Sequence, residues 1–276
     1  MYRKTLFFIL LISLAFVVKS QNIFDLSHTR RYAEYLYNSG QFKLAAEEYE
    51  RFLFLAPYND TAAKRLINSY AESDNYATGI TRAGQLFGGF SDLPSSVSFK
   101  YGTMLIHLHR LKETEDLLIH AATLKPNDRF TLNVTRQMYL GEWQQAYHML
   151  LGVPDQDVPL YIKYTSIAND AVNFRPKSPA LSVTFSTIIP GAGSAWSGQW
   201  KDGLVTLLAV AVTGWQAWRG FDKYGSNSLY GWVYSGACAG LYIENLFHSA
   251  KSARRFNRLH RQKFKQRAEE AFNQYY

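Results

Sequence analysis

Two hydrophobic patterns divide this chain. From about residue 25 to 154, short apolar runs are spaced like helix faces and broken by Gly, Pro, Asn or Asp. From 178 onward the apolar runs are nearly continuous, and a charged tail follows in which Ala253, Phe256, His260, Phe264, Ala268, Ala271 and Tyr275 recur at three and four. Recurrence at that interval puts side chains on one face of a helix. The expectation is an all-α chain of two halves: an α-solenoid, then a helical hairpin of apolar character with a basic amphipathic C-terminal helix. The expected boundaries are 25–154 for the first half, a linker at 155–177, the apolar module at 178–250 and the tail at 251–276.

The joint between the halves is the stretch 178–203, SPALSVTFSTIIPGAGSAWSGQWKDG. Proline removes a backbone donor, and glycine permits positive φ, so a helix arriving at Pro190, Gly191 and Gly193 breaks or bends there. Gly198 and Gly203 extend the small-residue pattern. The next apolar run, 203–218, is 16 residues without a charge, about 24 Å as a helix, and a third run spans 229–247 with only Glu244 charged. Five of the six tryptophans (Trp196, Trp200, Trp215, Trp218, Trp232) stand near the ends of these runs, as an interfacial aromatic belt would place them. Gly236 and Gly240 form a GxxxG spacing that lets helices approach. These features predict transmembrane helices, broken at Pro190–Gly198, in an inner (cell) membrane.

In the first half the chain is self-similar at about 34 residues. Ala33, Leu36, Gly40, Phe42, Ala45, Tyr49, Phe52 and Pro57 form one unit; Gly102, Leu105, Leu111, Leu118, Ala121 and Pro126 form the third; Gly141, Trp143 and Ala146 begin the fourth, which ends near Pro154. The second, around Ile67, Tyr70, Tyr76 and Leu86, is the most degenerate. On these residues the array resembles the tetratricopeptide repeat family. The resemblance implies paired antiparallel helices whose first members line a concave, partner-binding face. The positions on it would be Arg30, Glu34, Tyr37, Asn38, Lys64, Asn68, Phe99, Thr103, His107, Thr131, Thr135 and Tyr139. Lys64 and Asn68 match part of the carboxylate clamp known in some members.

Charge changes the picture little. Of the formal +8, three units sit in the first 20 residues and a net six in the tail, so the rest of the chain is about neutral. That argues against a general nucleic-acid surface. Arg254, Arg255, Arg258, Arg261, Lys263 and Lys265 would suit an anionic lipid surface. Residues 1–20, with Arg3 and Lys4 before a continuous apolar run, read as a secretory signal peptide, which would place the repeats in the periplasm. Cys238 is the sole cysteine, so no internal disulfide is possible. His107 and His109 diverge by about 200° on a helix, and His120 and His148 have no partner at i+4, so no metal or cofactor is expected. The glycine spacing of 193–198 lacks the Lys and Ser/Thr of a P-loop, because Gln199 and Trp200 stand there. No acidic pair marks general acid–base chemistry.

Beyond the repeats, Ser178-Pro179, Pro190, Gly191, Gly193, Gly198, Asp202-Gly203, Asn245 and Asn257 are similar to a bacterial, Bacteroidota-like envelope family. In that family tetratricopeptide repeats precede a PGAG-type apolar hairpin. Ser194 and Trp196 depart from its usual Gln and Tyr. The resemblance implies a bacterial, membrane-associated protein and no particular biochemical role. The expectation for function is a non-enzymatic envelope scaffold or adaptor that binds a protein or peptide through the repeats, with envelope protein assembly or insertion as its setting. An accessory subunit of a transporter or channel, using the broken helix at Pro190–Gly198, is the alternative.

Overall fold

The computed structural model describes residues 25–153 and 158–276. The expected signal peptide and Pro154 lie outside the described residues. All regular structure among them is helical, 81% helix with no strand, and falls into two units divided between Arg136 and Gln137.

The first unit begins α1 (Leu26–Asn38), α2 (Phe42–Leu55), α3 (Asp60–Glu72) and α4 (Tyr76–Phe87). A short 3₁₀ turn (Phe90–Asp92), α5 (Ser95–His107), α6 (Leu111–His120) and α7 (Pro126–Leu140) follow, the unit boundary falling inside α7. Start signals are local: the Asp25 carboxylate accepts from the His28 N–H at 2.7 Å, and the Asn59 side chain accepts from the Ala62 N–H at 2.9 Å, each satisfying a donor the helix leaves unpaired.

The strongest regularity is at the turns. Gly40, Asp74, His109 and Gly141 have φ of 75°, 57°, 54° and 87°, at successive separations of 34, 35 and 32 residues. In each turn the N–H of the following residue reaches back to a carbonyl five positions earlier: Gln41 to Leu36, Asn75 to Tyr70, Arg110 to Leu105, Glu142 to Gln137, all at 2.9 or 3.0 Å. This is the Schellman closure, in which one left-handed residue lets the chain reverse. Two of the four are not glycine, at a cost of about 1 kcal/mol each. His109 is therefore a turn residue.

From α1 to α6 each helix packs on the next, and α3 also packs on α5. Ala33, Ala45, Ala46, Ala62 and Ala63 allow close approach around Leu36, Tyr49, Phe52 and Leu66. Ion pairs link alternate helices. Glu34 on α1 meets Arg65 on α3 at 3.4 Å, and Glu72 on α3 meets Lys100 on α5 at 2.6 Å. On the other set, Arg82 of α4 forks onto Glu50 of α2 at 2.7 and 2.6 Å, while the Tyr70 hydroxyl donates to the same carboxylate at 2.9 Å.

The second unit completes α7 and adds α8 (Trp143–Leu151), α9 (Pro159–Val172), α10 (Pro179–Ile188), α11 (Ala192–Trp196), α12 (Trp200–Tyr224) and α13 (Leu229–Asn273). The 45-residue α13 is its spine, about 67 Å long; α9, α10, α11 and α12 all pack on it. The third apolar run and the basic tail are one uninterrupted helix.

The expected inner-membrane location is corrected here. No described helix is long and apolar enough to cross a membrane, so the transmembrane-helix reading falls with it. Helix α12 has 25 residues, but Lys201 and Asp202 open it, and Gln216, Arg219, Asp222 and Lys223 occupy its last third. In α13, Glu244 and the basic run from Lys251 break the apolar stretch.

Candidate functional site

Two arrangements bring sequence-singled residues together. The first lies on α1, α3 and α5. Arg30 donates to Glu34 at 3.0 Å, and Glu34 also faces Arg65. Arg65 lies 5.5 Å from the centre of the Tyr37 ring and donates to the Tyr49 hydroxyl at 3.3 Å. That hydrogen bond, first among its causes, raises the Arg65 pKa, while burial raises that of Tyr49. Arg65 was missed in the sequence, where Lys64 beside it drew attention; Lys64 instead pairs loosely with Asp60 at 3.8 Å on the surface of α3. Asn38 is exposed. Asn68 is half-buried, and its side-chain carbonyl is out of contact with water and has no hydrogen-bond donor among the described residues. The His107 ring stacks on Tyr76 at 4.5 Å and 6°, and Phe99 is half-buried beside this layer.

Four of the expected partner-binding residues are corrected. Thr103, Thr131, Thr135 and Tyr139 are buried. The threonine hydroxyls donate to carbonyls of their own helices, Lys100, Asn127 and Thr131, at 2.7 to 2.9 Å. Tyr139 packs edge-on against Phe272 at 6.2 Å, and burial raises its phenol pKa.

The second arrangement is a knot of small and polar residues where α10, α11 and α12 meet α13. Ser178 caps α10, with Pro179 at its first position. Gly191 turns the chain at φ 84°, and its N–H donates to Asn245 Oδ1 at 2.9 Å; Asn245 Nδ2 donates to the Ser186 carbonyl at 3.2 Å. Gly193 N–H donates to Ser186 Oγ at 3.0 Å. Ser182 donates to the Ser249 carbonyl at 2.8 Å and lies 3.2 Å from Ser197. Asn257 closes the far end, bonding Lys177 N–H at 2.8 Å and the Lys177 carbonyl at 2.9 Å. Lys177 Nζ donates to the Trp196 carbonyl and sits 4.2 Å from the Phe256 ring centre. A β-carbon on Gly191 would stand 1.9 Å from the Gly203 carbonyl oxygen, and one on Gly193 the same distance from that of Ser182. The glycines, serines and asparagines of the motif thus satisfy a broken backbone inside protein, as irregular backbone requires.

The expected close packing at Gly236 and Gly240 is also corrected: nothing lies within 4 Å of a β-carbon built on either, whereas one on Gly220 would meet the Gly231 backbone at 2.8 Å. The α12–α13 approach is made by that second pair. Around it α12 is inverted, with Gly203, Ala217 and Gly220 buried and Leu208, Trp215 and Trp218 more than half exposed. The basic positions Arg254, Arg255, Arg258, Arg261 and Lys263 are exposed on α13, and Lys265 is half-buried. No group of three His, Cys, Asp or Glu among the described residues is placed to hold a metal.

No family model, curated protein or solved structure matches the chain.

Proposed function

We propose that this protein is a non-enzymatic adaptor: a tetratricopeptide-like solenoid that docks an extended peptide or protein segment on the layer formed by α1, α3 and α5. The observation that carries this reading is Asn68. A buried, unpaired carbonyl costs about 1–3 kcal/mol, and rotation of the half-exposed Asn68 amide toward a peptide N–H laid across α3 would relieve it. Arg30, Glu34, Tyr37 and Arg65 surround the same layer with charge-assisted donors and acceptors. The recurring left-handed turns support the solenoid, since each returns a second helix against the first at nearly constant spacing. The packed knot at Pro190–Gly198 favours this adaptor reading over the transport one, because most of its polar groups, the buried Ser194 hydroxyl excepted, bond one another instead of lining a path. A peptide selection against the full chain tests the proposal: ligands that lose at least tenfold in affinity with Asn68→Ala support it, and selections indifferent to Asn68 and Arg65 refute it.

A second reading rests on the inverted helix α12. Its outward Leu204, Leu208, Trp215 and Trp218 would lie against a lipid surface along the helix, without crossing it, in the manner of interfacial helices. Flotation with phosphatidylglycerol vesicles that is lost in Leu208→Glu supports this reading, and a full chain that stays unbound refutes it.

A further inference from the structure

Within the second unit a cavity of about 450 Å³ opens between the end of α7, the start of α8, the residues after α9 and the middle of α13. Its size is that of a small-molecule site. Three rings form its floor. Phe264 stands edge-on to Trp143 at 6.0 Å and 69°, and edge-on to Phe174 at 5.7 Å and 71°. This herringbone is fixed from behind, because His260 stacks on Phe174 at 5.1 Å and 13°, and His260 Nδ1 lies 2.9 Å from the Phe256 carbonyl.

Two cations, Arg261 and Lys265, line the same cavity one helical turn apart. Neither has a carboxylate partner among the described residues, whereas Arg267, two positions further, is paired with Asp170 at 2.8 Å. The Trp143 indole N–H likewise has no acceptor among the described residues. Gly141 matters twice: its φ of 87° makes the turn, and a β-carbon there would stand 3.2 Å from Lys265 Cε, so the missing side chain leaves space for the lysine stem. Aromatic walls, an indole donor and two unpaired cations in one concavity make a site that is apolar below and positive above. A bare inorganic anion would leave the rings unused, and a neutral hydrocarbon would leave the cations unused.

We propose that this cavity binds a carboxylate carried on a flat apolar body, the carboxylate held by Lys265 and Arg261 and the body stacked among Trp143, Phe174 and Phe264. The carboxylate comes from either a free aromatic acid or the C-terminus of a chain ending in an aromatic residue. Calorimetry on the full chain tests this with 2-naphthoate against 2-naphthamide, and with a peptide ending in free tryptophan against its amidated form. The site predicts that at least one acid binds at least tenfold more tightly than its amide. That preference shrinks in Lys265→Met and in Arg261→Gln, and Trp143→Phe, which keeps a ring against Phe264, weakens the acid several-fold. The better-bound acid identifies the source. Acids and amides binding alike, no binding of either acid, or affinities unmoved by both charge substitutions would overturn the proposal.

Discussion

Adding one methyl group at Gly193 tests the knot most sharply. Gly193 lies inside α11 at ordinary helical φ, so Gly193→Ala meets no backbone strain of its own and reads steric fit alone. Its β-carbon would stand 1.9 Å from the Ser182 carbonyl oxygen, 2.7 Å from the Ser182 carbonyl carbon and 2.7 Å from Ser186 Oγ. Two of those atoms are backbone of α10, so relief requires moving one helix off the other by more than an ångström. Overpacking of this kind costs about 1–3 kcal/mol and occasionally more. The same shift pulls Ser186 Oγ from the Gly193 N–H and Ser182 Oγ from the Gly193 carbonyl, adding about 1 kcal/mol for each bond lost. A loss of about 3–5 kcal/mol follows, or roughly 6–20 °C of melting temperature at about 2–4 °C per kcal/mol. The control is Gly236→Ala, which meets open space and should gain up to about 1 kcal/mol from helix propensity. Thermal unfolding followed by circular dichroism, with proteolysis of the 178–203 segment as a local readout, measures both. Equal melting temperatures for Gly193→Ala and the parent would refute the steric account of the motif.

Three further outcomes follow from the geometry. Asn245→Ala strips partners from the Gly191 N–H and the Ser186 carbonyl in a buried setting, and should cost about 2–4 kcal/mol in urea unfolding. Glu50→Gln removes the charge that Arg82 and Tyr70 share and turns one of its two acceptor oxygens into a donor; because the pair is about 30% exposed, the loss should be only about 1 kcal/mol and should shrink in 1 M salt. The Asp25 carboxyl is held down at about 2, first by the His28 backbone N–H and then by the His28 ring. Its folded pKa lies below the unfolded value of about 3.9, so its stabilisation is complete above about pH 4 and fades as the pH falls through 2. Urea midpoints at pH 4 and pH 2 should therefore converge more in Asp25→Asn than in the parent.

Much of the first half was legible because its rules are local. A glycine at 40 and another at 141 announced two of the turns, and alanines at 33 and 45 announced the helix contacts. Asp74 and His109 were not legible as turns, since a left-handed residue with a side chain leaves no compositional trace; His109 was weighed as a metal ligand instead. Arg65 was passed over for Lys64 because only tertiary packing shows which of two adjacent cations turns toward Glu34. Family register puts Thr131, Thr135 and Tyr139 on an open face, whereas the structure buries all three. In the second half the motif residues were visible, but their purpose was not: Asn245 is 54 residues from Gly191, and no local signal joins them. Gly236 and Gly240 had the spacing for close approach, yet Gly220 and Gly231, with no such spacing, make it. Uncharged runs and tryptophans at 203–247 pointed to spans, and charges at both ends of α12 left the helix short of one.

The central claim is that the α1–α3–α5 layer docks a peptide backbone through Asn68. Its most direct measurement is the affinity of selected peptides for the full chain and for Asn68→Ala. The account predicts a loss of at least tenfold, matched by Arg65→Met and absent in Lys265→Met, whose side chain lines the other unit's cavity. Peptides that bind Asn68→Ala and Arg65→Met as tightly as the parent would contradict it.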